Sequence, residues 1–221
     1  MNANKSSRKK RSCFELAPLE KKALSSIFKT ILEFGRAPTV EELELSMKES
    51  GSRVITILDE LEEKDLLLRR KGTQQVVSIY PFSLTSTKHQ IVLEDGKALF
   101  AMCAVDALGM PNMFNKNVEV ISQCEWCKQE ITIEIKNGEV TTRSHPHIQI
   151  WNLERQEGPS AETCCPVISF FCSDEHFREW QDKNSDLAKK GQNNALDQAY
   201  PDIRERWKRY GETVGVRGKK S

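Results

Sequence analysis

The chain reads as an α+β protein: a winged-helix-like unit of three helices, then a mixed α/β core with antiparallel strands. Three observations predict this. Apolar residues recur at helical spacing, between capping and stop signals, up to about residue 63. Basic residues, Gly72-Thr73 and the alternating Val76-Val77-Ser78-Ile79-Tyr80 then follow as a hairpin would. From Gln90 the texture changes to alternating strands mixed with short helical stretches.

Taken in order, Leu19, Ala23, Ile27, Ile31 and Phe34 place a helix over Pro18 to Phe34, ended by Gly35. Thr39 caps a short second helix, with Glu42 completing a capping box. Gly51-Ser52 marks a turn, Ser52 caps a third helix, and Val54, Ile57, Leu58 and Leu61 form its apolar face. Pro81 ends this unit, and residues 82–89 read as a linker or edge strand. Gln90 to Leu93 is a strand, Asp95-Gly96 a turn, and the apolar run Ala98 to Leu108 a helix that stops near Pro111. Val118 to Gln123, Glu130 to Ile135 and Ile148 to Trp151 are strands, and Val167 to Cys172 is a buried one. Ser173 caps a helix with Phe177 and Trp180 on one face, and Ala195 to Tyr210 is a helix interrupted at Pro201. The divisions are a disordered arm over 1–14, the winged-helix-like unit over 15–82, the core over 83–212 and a disordered basic tail over 213–221.

Composition narrows the function classes. With 33 basic and 32 acidic residues, the net charge of +1 makes no global case for nucleic acid or a membrane surface. No apolar run approaches the ~18 residues of a membrane span, and no signal core follows the charged start, so the expected location is the cytoplasm. Seven cysteines in a reducing compartment are free, metal-bound or catalytic, and an odd number cannot all pair. The third helix, which would read DNA in a winged helix, carries Asp59, Glu60, Glu62 and Glu63 and would repel phosphates. This argues against DNA binding and for a structural or docking role, although Arg69, Arg70 and Lys71 lie in the wing.

The chemistry-bearing residues are Cys103 and Asp106, three apart on one helical face, with Cys164-Cys165 as a source of a second thiol. A carboxyl group in an apolar run is costly unless paired or protonated, and desolvation raises its pKa toward that of a neutral-pH proton donor. In a strand, neighbouring side chains face opposite ways, so one of Cys164 and Cys165 faces the site and the other packs. Cys124-Glu125-Trp126-Cys127 is a CxxC whose nearest partners in sequence, Cys164 and Cys165, are adjacent and so poorly spaced for a second half of a zinc site. This counts against structural zinc. Cys13, Cys172 and the histidines read as incidental.

The run Leu99-Phe100-Ala101-Met102-Cys103-Ala104-Val105-Asp106 resembles the motif of alkylmercury (organomercurial) lyases. The resemblance continues through Pro111, the strand to Cys124, Cys164-Cys165 with the strand after it, and the Trp180 helix. It implies a lyase in which Cys103 and Cys164 are the catalytic thiols that hold mercury, with Asp106 as the acid at the metal. Cys124 is implied to be structural, and Cys165 a neighbour. It implies no resident cofactor, an organomercurial substrate, Hg(II) as bound product, and free thiol as co-substrate. Low-molecular-weight thiols or a mercuric reductase would receive the metal. Met102, where the family commonly has an aromatic residue, and the extra Cys127 depart from the pattern. Two other readings stand beside this one: a thiol-based metal-sensing winged-helix regulator, and a zinc-stabilised interaction module built on Cys124 and Cys127.

Overall fold

The computed structural model describes residues 14–217. The arm up to residue 13, Cys13 and the basic residues from 218 onward lie outside the described residues. The N-terminal helices form as their spacing dictates: α1 (Pro18–Phe34), α2 (Val40–Met47) and α3 (Gly51–Glu63). Gly35 closes α1 in the left-handed region at φ 71°. Thr39 and Glu42 make the reciprocal capping box of α2. The third helix starts two residues earlier than the sequence suggests, with Ser50 rather than Ser52 at the cap position. Ala23, Leu24, Ile27, Phe28, Leu43, Met47, Val54, Ile57, Leu58 and Leu61 are all buried between the three helices and the core behind them.

The hairpin follows as β1 (Leu67–Arg69) and β2 (Val76–Ile79). It does not stand apart as a wing. β3 (Phe82–Ser83) pairs with β2 on one side and β5 (Ala98–Ala101) on the other, so the segment 82–89 enters the sheet interior rather than an edge. With β4 (Gln90–Leu93), β6 (Val118–Gln123), β7 (Glu130–Lys136) and β8 (Glu139–Arg143), the antiparallel sheet runs β1-β2-β3-β5-β4-β6-β7-β8, unbroken across residue 82. Arg69 of the wing pairs with Asp59 and Glu62 of α3, which neutralises part of the acidic face noted above.

The expected helix over Ala98 to Leu108 is half wrong. Ala98–Ala101 is strand β5, and the helix α4 begins only at Ala104, running to Phe114 through Pro111. A continuous apolar run has no periodicity to separate strand from helix; here β4 and β3 claim the first four residues by pairing. The later elements are β9 (Gln149–Leu153), α5 (Ser160–Thr163), a 3₁₀ turn over Cys165–Val167, β10 (Ser169–Phe171), α6 (Asp174–Lys183), α7 (Ser185–Ala188), β11 (Gly191–Ala195) and α8 (Leu196–Val214). β9 is the centre of a second, three-stranded sheet ordered β10-β9-β11. The expected strand over 167–172 is thus shorter, its first part being the 3₁₀ turn.

Two glycines set the spacing of the layer beneath the site. A β-carbon on Gly109 of α4 would lie 2.0 Å from the Trp207 indole nitrogen, and one on Gly211 of α8 would lie 2.1 Å from the Met113 carbonyl oxygen. Only bare backbone lets α4 and α8 pack this closely. That packing also explains why Pro201 does not interrupt α8: Leu196, Tyr200, Ile203, Trp207, Tyr210 and Val214 are buried on both sides of it at helical spacing. The lost hydrogen bond is outweighed by a continuous buried face.

Candidate active site

The site gathers where β5 ends, α4 begins and the α5 corner passes over them. Cys103 is the cap residue of α4, with extended backbone at φ −155° and ψ 174°. Its sulfur accepts a hydrogen bond from the Asp106 backbone N–H at 3.4 Å. The two residues therefore meet as cap and third helical position rather than as neighbours on a helix face. The outcome is the same, thiol and carboxyl side by side, and the geometry is tighter because the cap turn points Sγ back over the helix start. Cys103 and Asp106 are both 2% exposed.

The vicinal pair does not lie in a strand. Cys164 closes α5 and Cys165 opens the 3₁₀ turn, so the alternation rule does not govern which thiol faces the site. The Cys165 sulfur lies with the Cys103 sulfur and an Asp106 carboxyl oxygen within 4.8 Å of one another. Cys164 lines the same cavity, its thiol 3.7 Å from the Ser160 carbonyl oxygen. The Cys103 and Cys165 sulfurs and the Asp106 carboxyl group thus form one buried cluster, with Cys164 beside it on the cavity wall. Burial pushes the Cys103 thiol above its ordinary value, and the neighbouring Asp106 charge adds to this. Cys165 is pushed up as well, first by the hydrogen bond it gives Cys103.

The cavity holds about 240 Å³ and is walled by Tyr80, Val105, Leu153 and Ile168, with Arg155 and Arg206 supplying positive charge. Larger clefts lie elsewhere, including one of about 920 Å³ between the end of α4 and α8, but that one has no thiol on its walls. The helical unit reaches this cavity through Asp65, just after α3. Asp65 accepts hydrogen bonds from the Ser160 backbone N–H at 2.8 Å and from the Ser160 hydroxyl, and pairs with Arg155 at 3.2 Å. The segment that carries the vicinal thiols is thereby tied to the N-terminal helices.

A family profile for alkylmercury lyase matches residues 82–205, over half of the chain. The chain belongs to the alkylmercury lyase family. An alkylmercury lyase of Bacillus cereus is 22% identical over 162 residues, covering 72% of each chain. One of Pseudomonas putida is 27% identical over 164 residues, 71% of this chain and 73% of that one. The crystal structure of the mercury-bound form of a protein named MerB2 superposes with a TM-score of 0.77 at 24% identity, covering 93% of this chain and all of that one. That last likeness is one of fold. The expectations of an alkylmercury lyase, of an enzyme, and of an α+β architecture with a helical unit before an antiparallel core are met. Among the described residues no helix is long and apolar enough to cross a membrane.

Sequence reasoning missed the placement of four residues, two at this site and two outside it. The proximity of Cys165 to Cys103 depends on the α5 corner, which carries too short a helix to announce itself. Arg206 arrives from α8, some hundred positions after Cys103, and nothing local marks it. Cys172 and His176, set aside as incidental, stand next to Cys124 and Cys127. The spacing Cys172-x₃-His176 was a signal for these last two, since it places both at one helix start.

Proposed function

We propose that this alkylmercury lyase family member is an organomercurial lyase that cleaves the carbon–mercury bond by protonolysis, with Cys103, Cys164 and Asp106 as the acting groups. One observation carries the proposal: a buried carboxyl group and three thiols converge on one small cavity within the family-matched region. Mercury is soft and takes thiolates. The Cys103 sulfur and an Asp106 carboxyl oxygen lie within 4.8 Å of one another, so the thiol proton can pass to Asp106. The thiolate then binds the mercury of R–Hg–X, and Cys164 adds as the second thiolate while X leaves as HX. Electron density rises on carbon, Asp106 returns the proton to it, and RH departs. Both thiol protons are accounted for, and Hg(II) remains between two sulfurs.

The family resemblance implies Cys164 as the second thiolate, while Cys165 is the nearer sulfur before substrate enters. The contact holding Cys164 to Ser160 is a weak thiol bond of 3.7 Å, which one side-chain rotation releases. The Cys165 thiol is pushed well above its ordinary value, first by its hydrogen bond with Cys103. Both points support Cys164 as ligand and Cys165 as its neighbour beside Cys103. Low-molecular-weight thiols of the cytoplasm, or a mercuric reductase, would then take the metal. The N-terminal unit serves to brace the α5 corner through Asp65 rather than to bind DNA.

The test is incubation with methylmercury or phenylmercury and excess thiol, with methane or benzene measured in the headspace. Wild type should release hydrocarbon, Cys103→Ala and Cys164→Ala should not, and Cys165→Ala should lose much less. Wild-type-like turnover in Cys103→Ala or Cys164→Ala would sink the two-thiol mechanism. A dead Cys165→Ala beside an active Cys164→Ala would transfer the second-thiol role to Cys165.

A further inference from the structure

Outside the active site, Cys124, Cys127, Cys172 and His176 place one ligand atom each within 4.8 Å of one another. They come from three elements. Cys124 follows β6, Cys127 ends the turn after it, Cys172 follows β10, and His176 lies in the first turn of α6. The Cys127 and Cys172 sulfurs are 3.7 Å apart. Two thiolates on a tetrahedral zinc at ~2.3 Å stand about 3.8 Å apart. The Cys172 sulfur is 2.8 Å from His176 Nδ1, a hydrogen bond that a cation held by both would replace. The Cys124 sulfur faces backbone N–H groups of Trp126, Cys127 and Cys172, the last at 3.5 Å, so its negative charge would be met by fixed donors. Cys124 and Cys172 are buried, while Cys127 and His176 are half-buried, which leaves a way in from solvent.

We propose that these four residues bind one structural zinc ion. Three thiols give up their protons to water as three Zn–S bonds form, and neutral His176 supplies the fourth bond. Sulfur and imidazole in a tetrahedron select zinc over hard cations. All four positions are filled by protein, so the ion has no open place for substrate and its role is to hold structure. What it holds is plain from the topology. Cys124 bridges Phe170 of β10, and the Glu125 N–H donates to the Phe170 carbonyl at 2.9 Å. The ion thus staples the eight-stranded sheet to the three-stranded one, at the strand that follows the vicinal thiols. Trp126 of the same turn reaches α6, with Lys183 Nζ 4.7 Å from its ring centre. This site is independent of the lyase reading. It differs from the zinc site weighed from sequence, which joined Cys124 and Cys127 to Cys164 and Cys165.

The full chain would be produced in zinc-supplemented medium, purified without chelator under a phosphine reductant, and its metal counted by mass spectrometry. One zinc per chain is expected. Cys127→Ser and His176→Ala, both at half-exposed positions, should hold about tenfold less or lower still. Cys103→Ser should keep its zinc. Stripping zinc from wild type should lower its melting temperature to that of Cys127→Ser. Cobalt(II) added to the stripped wild type should give the intense visible bands and thiolate charge transfer of a tetrahedral site. Wild type that holds no zinc and gives no such cobalt spectrum overturns the proposal without reference to any variant. So does a Cys127–Cys172 disulfide in the reduced preparation, or zinc that is lost from Cys103→Ser and kept by Cys127→Ser.

Discussion

Replacing Asp106 by asparagine isolates the proton from the metal. The residue is 2% exposed, sits at the third position of α4, and has a carboxyl oxygen within 4.8 Å of the Cys103 sulfur. Asparagine is nearly isosteric, so neither the cap of α4 nor the packing around it changes much. What is lost is one titratable oxygen to which the proposed mechanism gives two uses, drawing the proton from Cys103 and returning it to carbon. General acid–base assistance is worth ~10²–10⁴-fold, or about 3–5 kcal/mol on the barrier. Hydrocarbon release from phenylmercury under single-turnover conditions should therefore slow by about that factor. The three sulfurs remain, so Hg(II) titration followed by thiolate–mercury absorbance should show wild-type stoichiometry. A release rate within a few-fold of wild type would mean that Asp106 only shapes the helix start. A variant that also fails to bind Hg(II) would mean that the carboxylate builds the site rather than supplying its proton.

Two stability predictions test the scaffold. Gly109→Ala should destabilise the protein by about 1–3 kcal/mol through overpacking against Trp207, although alanine is the better helix former by about 1 kcal/mol; a denaturation midpoint at or above wild type would show that α4 and α8 are not held this close. His89 is 1% exposed, donor or acceptor to Ser122 at 2.9 Å, and burial lowers its pKa to about 3. The unfolded chain then binds a proton that the folded one does not as pH falls from about 6.5. The His89 contribution is fully present above the unfolded value and is lost as pH drops toward 3. Urea unfolding across this window should show a slope of up to ~1.4 kcal/mol per pH unit that His89→Gln removes, and an unchanged slope would refute the assignment.

The sequence by itself determined the local elements whose signals are local. Caps at Thr39 and Ser173, the stop at Gly35 and the turn at Asp95-Gly96 were legible because each depends on a few adjacent residues. So was the pairing of Cys103 with Asp106, since a spacing of three brings them together whether both lie on the helix or one caps it. The motif around them was enough to name the family. Tertiary structure decided the rest. Ala98–Ala101 became a strand because β3 and β4 stood ready to pair with it, a fact no apolar run contains. Pro111 and Pro201 stayed inside helices because those helices bury faces against each other. Cys172 and His176 joined Cys124 and Cys127 only when β10 was laid against the end of β6. Local rules reach a few residues along the chain, whereas metal and catalytic sites are sets of atoms a few ångströms apart. Which distant residues fill such a set is fixed by how the sheets and helices bury their apolar faces.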